Sequence, residues 1–182
     1  MSRIAIPPSI AASPFASQPL LEAVQQLLGS VPNLFRVVGN SPAALEGYLG
    51  LNGALAKGKL DAKTRERIAL VVAELNSCDY CLSAHTYLGK NLAKLEDSEM
   101  AANREGGSSD ARAAAALRFA AKVVIARGHV TDADLESVKA AGYDDAQVME
   151  IVLNVALNTL TNYVNSVART DIDFPVVKHR AR

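Results

Sequence analysis

Apolar residues recur along most of this chain at intervals of three and four, the spacing that places them on one side of an α-helix. No segment shows the alternation of apolar and polar residues that marks a half-buried strand. The pattern predicts an all-α fold, with helices over about residues 18–28, 42–56, 61–76, 77–93, 111–126, 131–141 and 146–168.

Capping residues support several of these boundaries. Ser41 precedes Pro42, an N-cap followed by a first-turn proline, and Asp61 stands where the next helix begins. The spacings Thr131 to Asp134 and Asp144 to Gln147 match capping boxes for the last two helices.

The remaining segments predict one domain over residues 1–182 with irregular ends. Residues 1–16, which include three prolines, predict an extended arm, and the polar stretch 96–110 predicts a loop. The polar tail, residues 171–182, is expected to be loose beyond Pro175.

Two features concern packing. The helix over 61–76 is apolar around most of its circumference, which predicts a central position. Gly47, Gly50 and Gly53 recur every three residues on one helix, which predicts that another backbone packs closely there. The surplus of apolar helix surface over what one small core absorbs predicts a homo-oligomer.

Charge and hydropathy exclude several classes of function. The chain has 19 Lys and Arg against 19 Asp and Glu, so it has no field of one sign to bind nucleic acid or an anionic membrane. Its apolar runs are far shorter than the roughly 20 residues of a membrane-spanning helix. The first residues lack the apolar core of a signal peptide, so we expect a soluble protein of the cytoplasm.

The two cysteines are the clearest chemical signal. Cys78 and Cys81 form a C-x-x-C pair at the predicted start of a helix, where the helix dipole favours a thiolate. With His85 they share one stripe of that helix. In a reducing compartment such a pair is redox-active or binds metal. A zinc site with His85 lacks a fourth ligand, because His129 and His179 lie far away in sequence, so we favour redox chemistry.

Two glutamates on the preceding helix, Glu66 and Glu74, are candidates for the carboxylate that orients His85. If the two helices form a hairpin, Glu74 lies near the turn and Glu66 lies some two turns deeper, near the level of His85. The apolar neighbours of Glu66 would raise its pKa, as a proton-shuttling acid requires. The alternative for Glu66 is a surface ion pair within the cluster of Arg65, Glu66 and Arg67.

These observations do not decide which of the two cysteines is the nucleophile. Helix polarity favours Cys78, which is nearer the helix start, whereas proximity to His85 favours Cys81. A further polar pattern lies on the last helix, where asparagines form a stripe that we interpret as a hydrogen-bonded helix contact rather than a substrate site. They are Asn154, Asn158, Asn162 and Asn165.

The run RERIALVVAELNSCDYCLSAHTYLG, within residues 60–90, resembles the core motif of the alkyl hydroperoxidase D (AhpD)-like proteins of the carboxymuconolactone decarboxylase superfamily. The resemblance implies an all-helical bundle that assembles as a trimer or hexamer. It also implies that Cys81 attacks peroxide, that Cys78 resolves the product by forming a Cys78–Cys81 disulfide, and that Glu66 and His85 relay protons. AhpD itself has a histidine just before the second cysteine, where this chain has Tyr80.

The sequence therefore predicts a peroxidase that reduces organic hydroperoxides without a bound cofactor. An external dithiol, lipoyl or thioredoxin-like, would reset the disulfide. One alternative is a redox-sensing or protein-interaction module that uses the same disulfide. A lyase of the carboxymuconolactone decarboxylase type is less favoured, because those members generally lack the C-x-x-C pair.

Overall fold

The computed structural model describes residues 2–181 of the chain, and this part folds into nine α-helices without a strand. The all-α prediction is confirmed. The helices are α1 (Gln18–Leu28), α2 (Asn33–Val38), α3 (Pro42–Ala56), α4 (Ala62–Leu75), α5 (Asp79–Asn91), α6 (Asp97–Arg104), α7 (Ala111–Ile125), α8 (Asp132–Ala140) and α9 (Asp145–Ala168). Met1 and Arg182, the outer ends of the predicted arm and tail, lie outside the described residues.

The predicted caps form. The side chain of Asp61 accepts a hydrogen bond of 2.7 Å from the Thr64 amide, which satisfies a free N–H at the start of α4. Capping boxes close the starts of α8 and α9, at Thr131 and Asp144. These helices therefore begin within one residue of the predicted positions.

Helix α4 is the centre of the fold, as its apolar circumference predicted. It packs against α5, α6, α7 and α9, and Ile68, Leu70 and Val72 are completely buried. One apolar cluster joins it to α1, α2, α3 and α5, and a second joins it to α7, α8 and α9. A tight turn with Ser77 at φ 53° reverses the chain after α4, so α4 and α5 form the predicted hairpin.

Two helices were missed by the sequence pattern. The short helix α2 follows Pro32 and buries Leu34, Val37 and Val38, but it has too few residues to show a period. The other, α6, lies inside the polar stretch predicted as a loop, because its buried face carries Glu99 and Asn103 beside Met100. The apolar pattern could not mark a helix whose buried side chains are polar.

The expectation of a loose tail beyond Pro175 is wrong for the described residues. The Val177 amide donates to Ser83 Oγ at 2.9 Å, and the His179 amide donates to Asp79 Oδ1 at 2.8 Å. The Arg180 amide donates to Glu74 Oε1 at 2.7 Å. Backbone N–H groups make these bonds whatever the side chain, so a polar composition did not reveal them.

The predicted close packing on the glycine face of α3 is also absent from the structure. Apart from the adjoining backbone of α3 itself, no atom of the described residues lies within 4 Å of where a Cβ would stand on Gly47, Gly50 or Gly53. This face is open. Before α1, residues 2–14 form no helix and a single 3-10 turn spans Phe15–Ser17.

Each helix within residues 2–181 is too short or too polar to cross a lipid bilayer.

Candidate active site

A cavity of about 90 Å³ lies among α3, α4, α5 and α9, and Cys81 is part of its wall. Cys78 is not among the residues that line it. The polar side chains that matter for its chemistry come from all four helices: Tyr48, Glu66, Cys81, His85, Asn158 and Asn165. A small molecule in this cavity would meet one sulfur of the pair, that of Cys81.

Glu66 and His85 meet across the α4–α5 hairpin. Glu66 Oε2 lies 2.8 Å from His85 Nδ1, and the two side chains are 22% and 21% exposed. Glu66 thus faces the cavity instead of pairing with Arg65 or Arg67. Burial lowers the pKa of His85, but the charge of Glu66, its hydrogen bond and the charge of Cys81 together raise it. His85 is therefore held towards its imidazolium form.

Cys81 is buried in the first turn of α5, yet its environment favours the thiolate. Burial by itself raises the pKa of the thiol. The thiol of Cys78, the amide of Asn165 and the charge of His85 outweigh burial and lower the pKa of Cys81 to about 7. Asn165 contributes directly, because its Nδ2 donates to Cys81 Sγ at 3.3 Å.

Cys78 has the opposite character. It is the N-cap of α5, and its Sγ accepts a hydrogen bond of 3.3 Å from the Cys81 amide. Its own hydrogen bond to Cys81, burial and the negative charge of Cys81 raise its pKa far above the ordinary value. Both cysteines are free and buried in this structure. The pair therefore combines one sulfur that ionises near neutral pH with a neighbouring sulfur that stays a thiol.

The asparagine stripe of α9 borders the cavity in addition to making the predicted helix contact. Asn162 makes that kind of contact, accepting from Asn76 at 2.9 Å, and Asn165 makes another with Cys81 of α5. Asn165 bonds the sulfur of Cys81, and Asn154 and Asn158 line the cavity. The sequence showed the stripe but not which helix it would face.

Partners within the protein are found for three further residues named in the sequence, Tyr80, Glu74 and His179. The Tyr80 hydroxyl donates to Asp173 at 2.8 Å and accepts from the Leu34 amide at 3.0 Å, as expected of a core aromatic. The Glu74 carboxylate is buried and lies 2.6 Å from Arg104 Nε. His179 pairs with Asp79 at 2.7 Å. His129 is exposed.

The cavity wall also includes side chains that the sequence pattern did not indicate. Tyr48 and Arg65 line the cavity, but a lone tyrosine among glycines and an arginine in a charge cluster carry no local signal. Within residues 2–181, no three His, Cys, Asp or Glu side chains are grouped so as to hold a metal ion.

Comparison with known proteins agrees with this geometry. Residues 42–124, which contain Glu66, both cysteines and His85, match the model of the carboxymuconolactone decarboxylase family. A 45-residue segment is 53% identical to an uncharacterized protein of Haemophilus influenzae. That match spans 24% of this chain and 40% of the relative's length.

Solved structures extend the likeness to nearly the whole chain. An uncharacterized peroxidase-related protein from Ralstonia eutropha JMP134, with an AhpD core, is 28% identical with a TM-score of 0.83, over 94% of this chain and 92% of its own. A peroxidase-related protein from Silicibacter sp. TM1040 is 27% identical with a TM-score of 0.79, over 94% of each chain.

A third solved structure shares the fold alone. It is a debrominase in complex with 2,3,4-tribromopyrrole, 20% identical with a TM-score of 0.72 over 85% of this chain and 84% of its own. One fold can carry different chemistries, so activity has to be argued from the site. The likeness does not depend on that choice: residues 42–124 are similar to the carboxymuconolactone decarboxylase family, and 94% of the chain is similar to AhpD-like, peroxidase-related proteins.

Proposed function

We propose that this protein is a thiol-dependent peroxidase that reduces organic hydroperoxides through Cys78 and Cys81. One observation carries the proposal: Cys81 lines the cavity with its pKa lowered to about 7, beside the Glu66–His85 pair. A thiolate is the form of cysteine that attacks peroxides. The likeness to two peroxidase-related proteins supports the same chemistry.

In the first step, the proton of Cys81 passes to His85 and the thiolate attacks the terminal oxygen of the hydroperoxide. An S–O bond forms and the O–O bond breaks, so sulfur is oxidised to the sulfenic acid and the peroxide is reduced. The alkoxide leaves with the bonding electron pair and takes the proton from His85, which yields an alcohol. Glu66 keeps His85 in the orientation and charge state that this transfer needs.

In the second step, Cys78 attacks the sulfenic sulfur of Cys81 and water leaves, which forms the Cys78–Cys81 disulfide. The hydrogen bond from the Cys81 amide to Cys78 Sγ keeps the two residues in one turn. An external dithiol, lipoyl or thioredoxin-like, then reduces the disulfide by thiol–disulfide exchange and becomes a disulfide itself. No bound cofactor takes part. We place this cycle in the cytoplasm, in a homo-oligomer.

The alternative is a redox-sensing or protein-interaction module that forms the same disulfide without sustained turnover. The site favours turnover, because a sensor needs an oxidisable cysteine but has no need of a Glu66–His85 pair beside it. A lyase using Glu66 and His85 would not need either cysteine.

Steady-state consumption of cumene hydroperoxide tests the proposal, with lipoamide, dithiothreitol and thioredoxin each as donor. We expect turnover by the wild type and none by Cys81→Ser, with Ser137→Ala, an exposed change on α8, as the matched control. Stoichiometric oxidation without turnover by any donor would favour the sensor. Full activity of both cysteine variants would refute thiol chemistry.

A further inference from the structure

The cavity contains one hydroxyl group without a partner. Three hydroxyls line it, from Tyr48, Tyr80 and Thr161. Tyr80 donates to Asp173, and Thr161 donates to the Asn158 carbonyl at 2.9 Å. Tyr48 is partly buried, and no hydrogen bond joins its hydroxyl to any residue from 2 to 181. Its partner is therefore to be sought among molecules that enter the cavity.

Several donor groups near the sulfur are already engaged, and Asn165 Oδ1, which has no partner among the described residues, is an acceptor that cannot stabilise a negative oxygen. His85 Nδ1 faces Glu66, and the amide of Asn165 donates to Cys81. The amides of Asn154 and Asn158 donate to backbone carbonyls four residues earlier, each at 2.8 Å. These bonds hold the side chains of the cavity wall in place, whereas the Tyr48 hydroxyl gives up no bond to the described residues when it donates to a ligand.

The position of Tyr48 suits a fixed donor. Its ring packs against the ring of Phe35 on α2, with centroids 5.6 Å apart, and this contact restricts the orientation of the Tyr48 side chain. Burial raises the pKa of Tyr48, and the negative charges of Cys81 and Glu66 raise it further. The Tyr48 hydroxyl therefore stays protonated at a pH at which Cys81 is a thiolate. The charges of Cys81 and Glu66 act on it directly.

We propose that Tyr48 is a catalytic residue that donates a hydrogen bond to the leaving oxygen of the hydroperoxide. This inference rests on the proposed peroxidase function. As the O–O bond breaks, negative charge develops on the departing oxygen, and a preoriented donor stabilises that charge. His85 still supplies the proton that completes the alcohol. Tyr48 thus offers a second polar contact in a site where Tyr80 stands in place of the AhpD histidine.

The test is Tyr48→Phe, which removes the hydroxyl and keeps the ring against Phe35. Oxidation of Cys81 by tert-butyl hydroperoxide is followed by stopped flow, and we expect its rate constant to fall at least about tenfold. Alkylation of Cys81 by iodoacetamide should change less than about twofold, because iodide leaves without a proton donor. Tyr87→Phe is the control, since Tyr87 packs on Phe174 and does not line the cavity.

A second substrate separates a donor from a merely structural residue. Peracetic acid releases acetate, a weakly basic leaving group that gains little from a donor, so Tyr48→Phe should slow it far less than tert-butyl hydroperoxide. Equal losses with both oxidants, or an equal loss of alkylation, would show a structural role and overturn the proposal.

The failure of each proposal has its own signature. Active wild type with an unimpaired Tyr48→Phe would overturn the role of Tyr48 and leave the peroxidase function standing. The same holds if Asn52→Ala, which alters another polar group of the cavity wall, slows the reaction while Tyr48→Phe does not. A wild type that reacts with neither oxidant would overturn both proposals.

Discussion

Glu66 and His85, 19 residues apart in the chain, are joined by a contact of 2.8 Å between Oε2 and Nδ1. The contact exists because α4 and α5 run antiparallel on either side of the turn at Ser77. It makes His85 a better base and holds its ring against the cavity that Cys81 shares.

Replacing Glu66 by Gln should slow peroxide reduction at least about tenfold, the low end for losing a general acid–base partner. The amide keeps a similar shape but supplies no negative charge, so the pKa of His85 should fall. Steady-state assays across pH 5 to 9 and a thermal melt measure the two effects. We expect little change in melting temperature.

Glu46→Gln, on the exposed side of α3, is the matched control for charge. A fully active Glu66→Gln together with an inactive Glu74→Gln would exchange the roles that we assign to the two carboxylates.

The reactivity of Cys81 should follow its lowered pKa. Only the thiolate is alkylated, so the iodoacetamide rate should rise through an apparent pKa of about 7 and level off above it. Asn165→Ala removes a hydrogen bond to the sulfur and should move this midpoint upward. Asn154→Ala, whose amide bonds a backbone carbonyl instead, should leave the midpoint in place. An unchanged midpoint in Asn165→Ala would contradict this account.

The attacking sulfur should be Cys81. In Cys78→Ser, stoichiometric hydroperoxide leaves a sulfenic acid that no resolving thiol can reach, and dimedone should label it at Cys81. In Cys81→Ser, no adduct should form at Cys78, whose pKa is raised and which does not line the cavity. Mass spectrometry of each variant shows which cysteine carries the dimedone adduct. Labelling of Cys78 alone would reverse the assignment.

Glu99 should stabilise the fold through its charge. Burial raises its pKa, but hydrogen bonds from Ser108, Ser109 and Asn103 lower it to about 2. A depressed pKa contributes stability above the unfolded value near 4, and this stability is lost as pH falls from about 4 towards 2. Glu99→Gln should cost about 3 kcal/mol at neutral pH, since it also leaves Arg67 Nε, 3.1 Å away, without its charged partner.

Urea unfolding at pH 7 and at pH 3 measures this difference. Glu136→Gln on the exposed face of α8 is the control and should change stability by less than about 0.5 kcal/mol. Equal stability of Glu99→Gln and the wild type at pH 7 would contradict the expectation.

The chain should assemble into a trimer or hexamer. The outer face of α9 and the end of α7 expose large apolar side chains, namely Ile125, Met149, Leu153, Leu160, Tyr163 and Val167. The α9 members recur at intervals of three, four and seven residues and so share one helix face, and an exposed apolar face is typical of an interaction site. Light scattering at micromolar concentration should give a multiple of 19.2 kDa, and Tyr163→Glu should lower it. A monomeric wild type would refute the prediction.

Much of the helical framework follows from the sequence alone, because it depends on neighbours in the chain. Asp61, Thr131 and Asp144 cap helices through amides three residues away, so their sequence spacing is enough to place these helices. Cys81 and His85, four residues apart on α5, both line the cavity for the same reason, whereas Cys78 is the N-cap of the helix and does not line it. The apolar circumference of α4 likewise predicted its central position.

The rest depends on contacts between distant segments. Asn165 reaches Cys81 across 84 residues, Tyr48 comes from a helix with no chemical signature, and the tail bonds Asp79 across 100 residues. Each is a single polar contact, and a single polar contact adds no period to the sequence. The apolar packing of α3, α5 and α9 around α4 decides which polar side chains meet. That packing fixes which face of each helix points towards its neighbours, and the sequence of one helix does not reveal those neighbours.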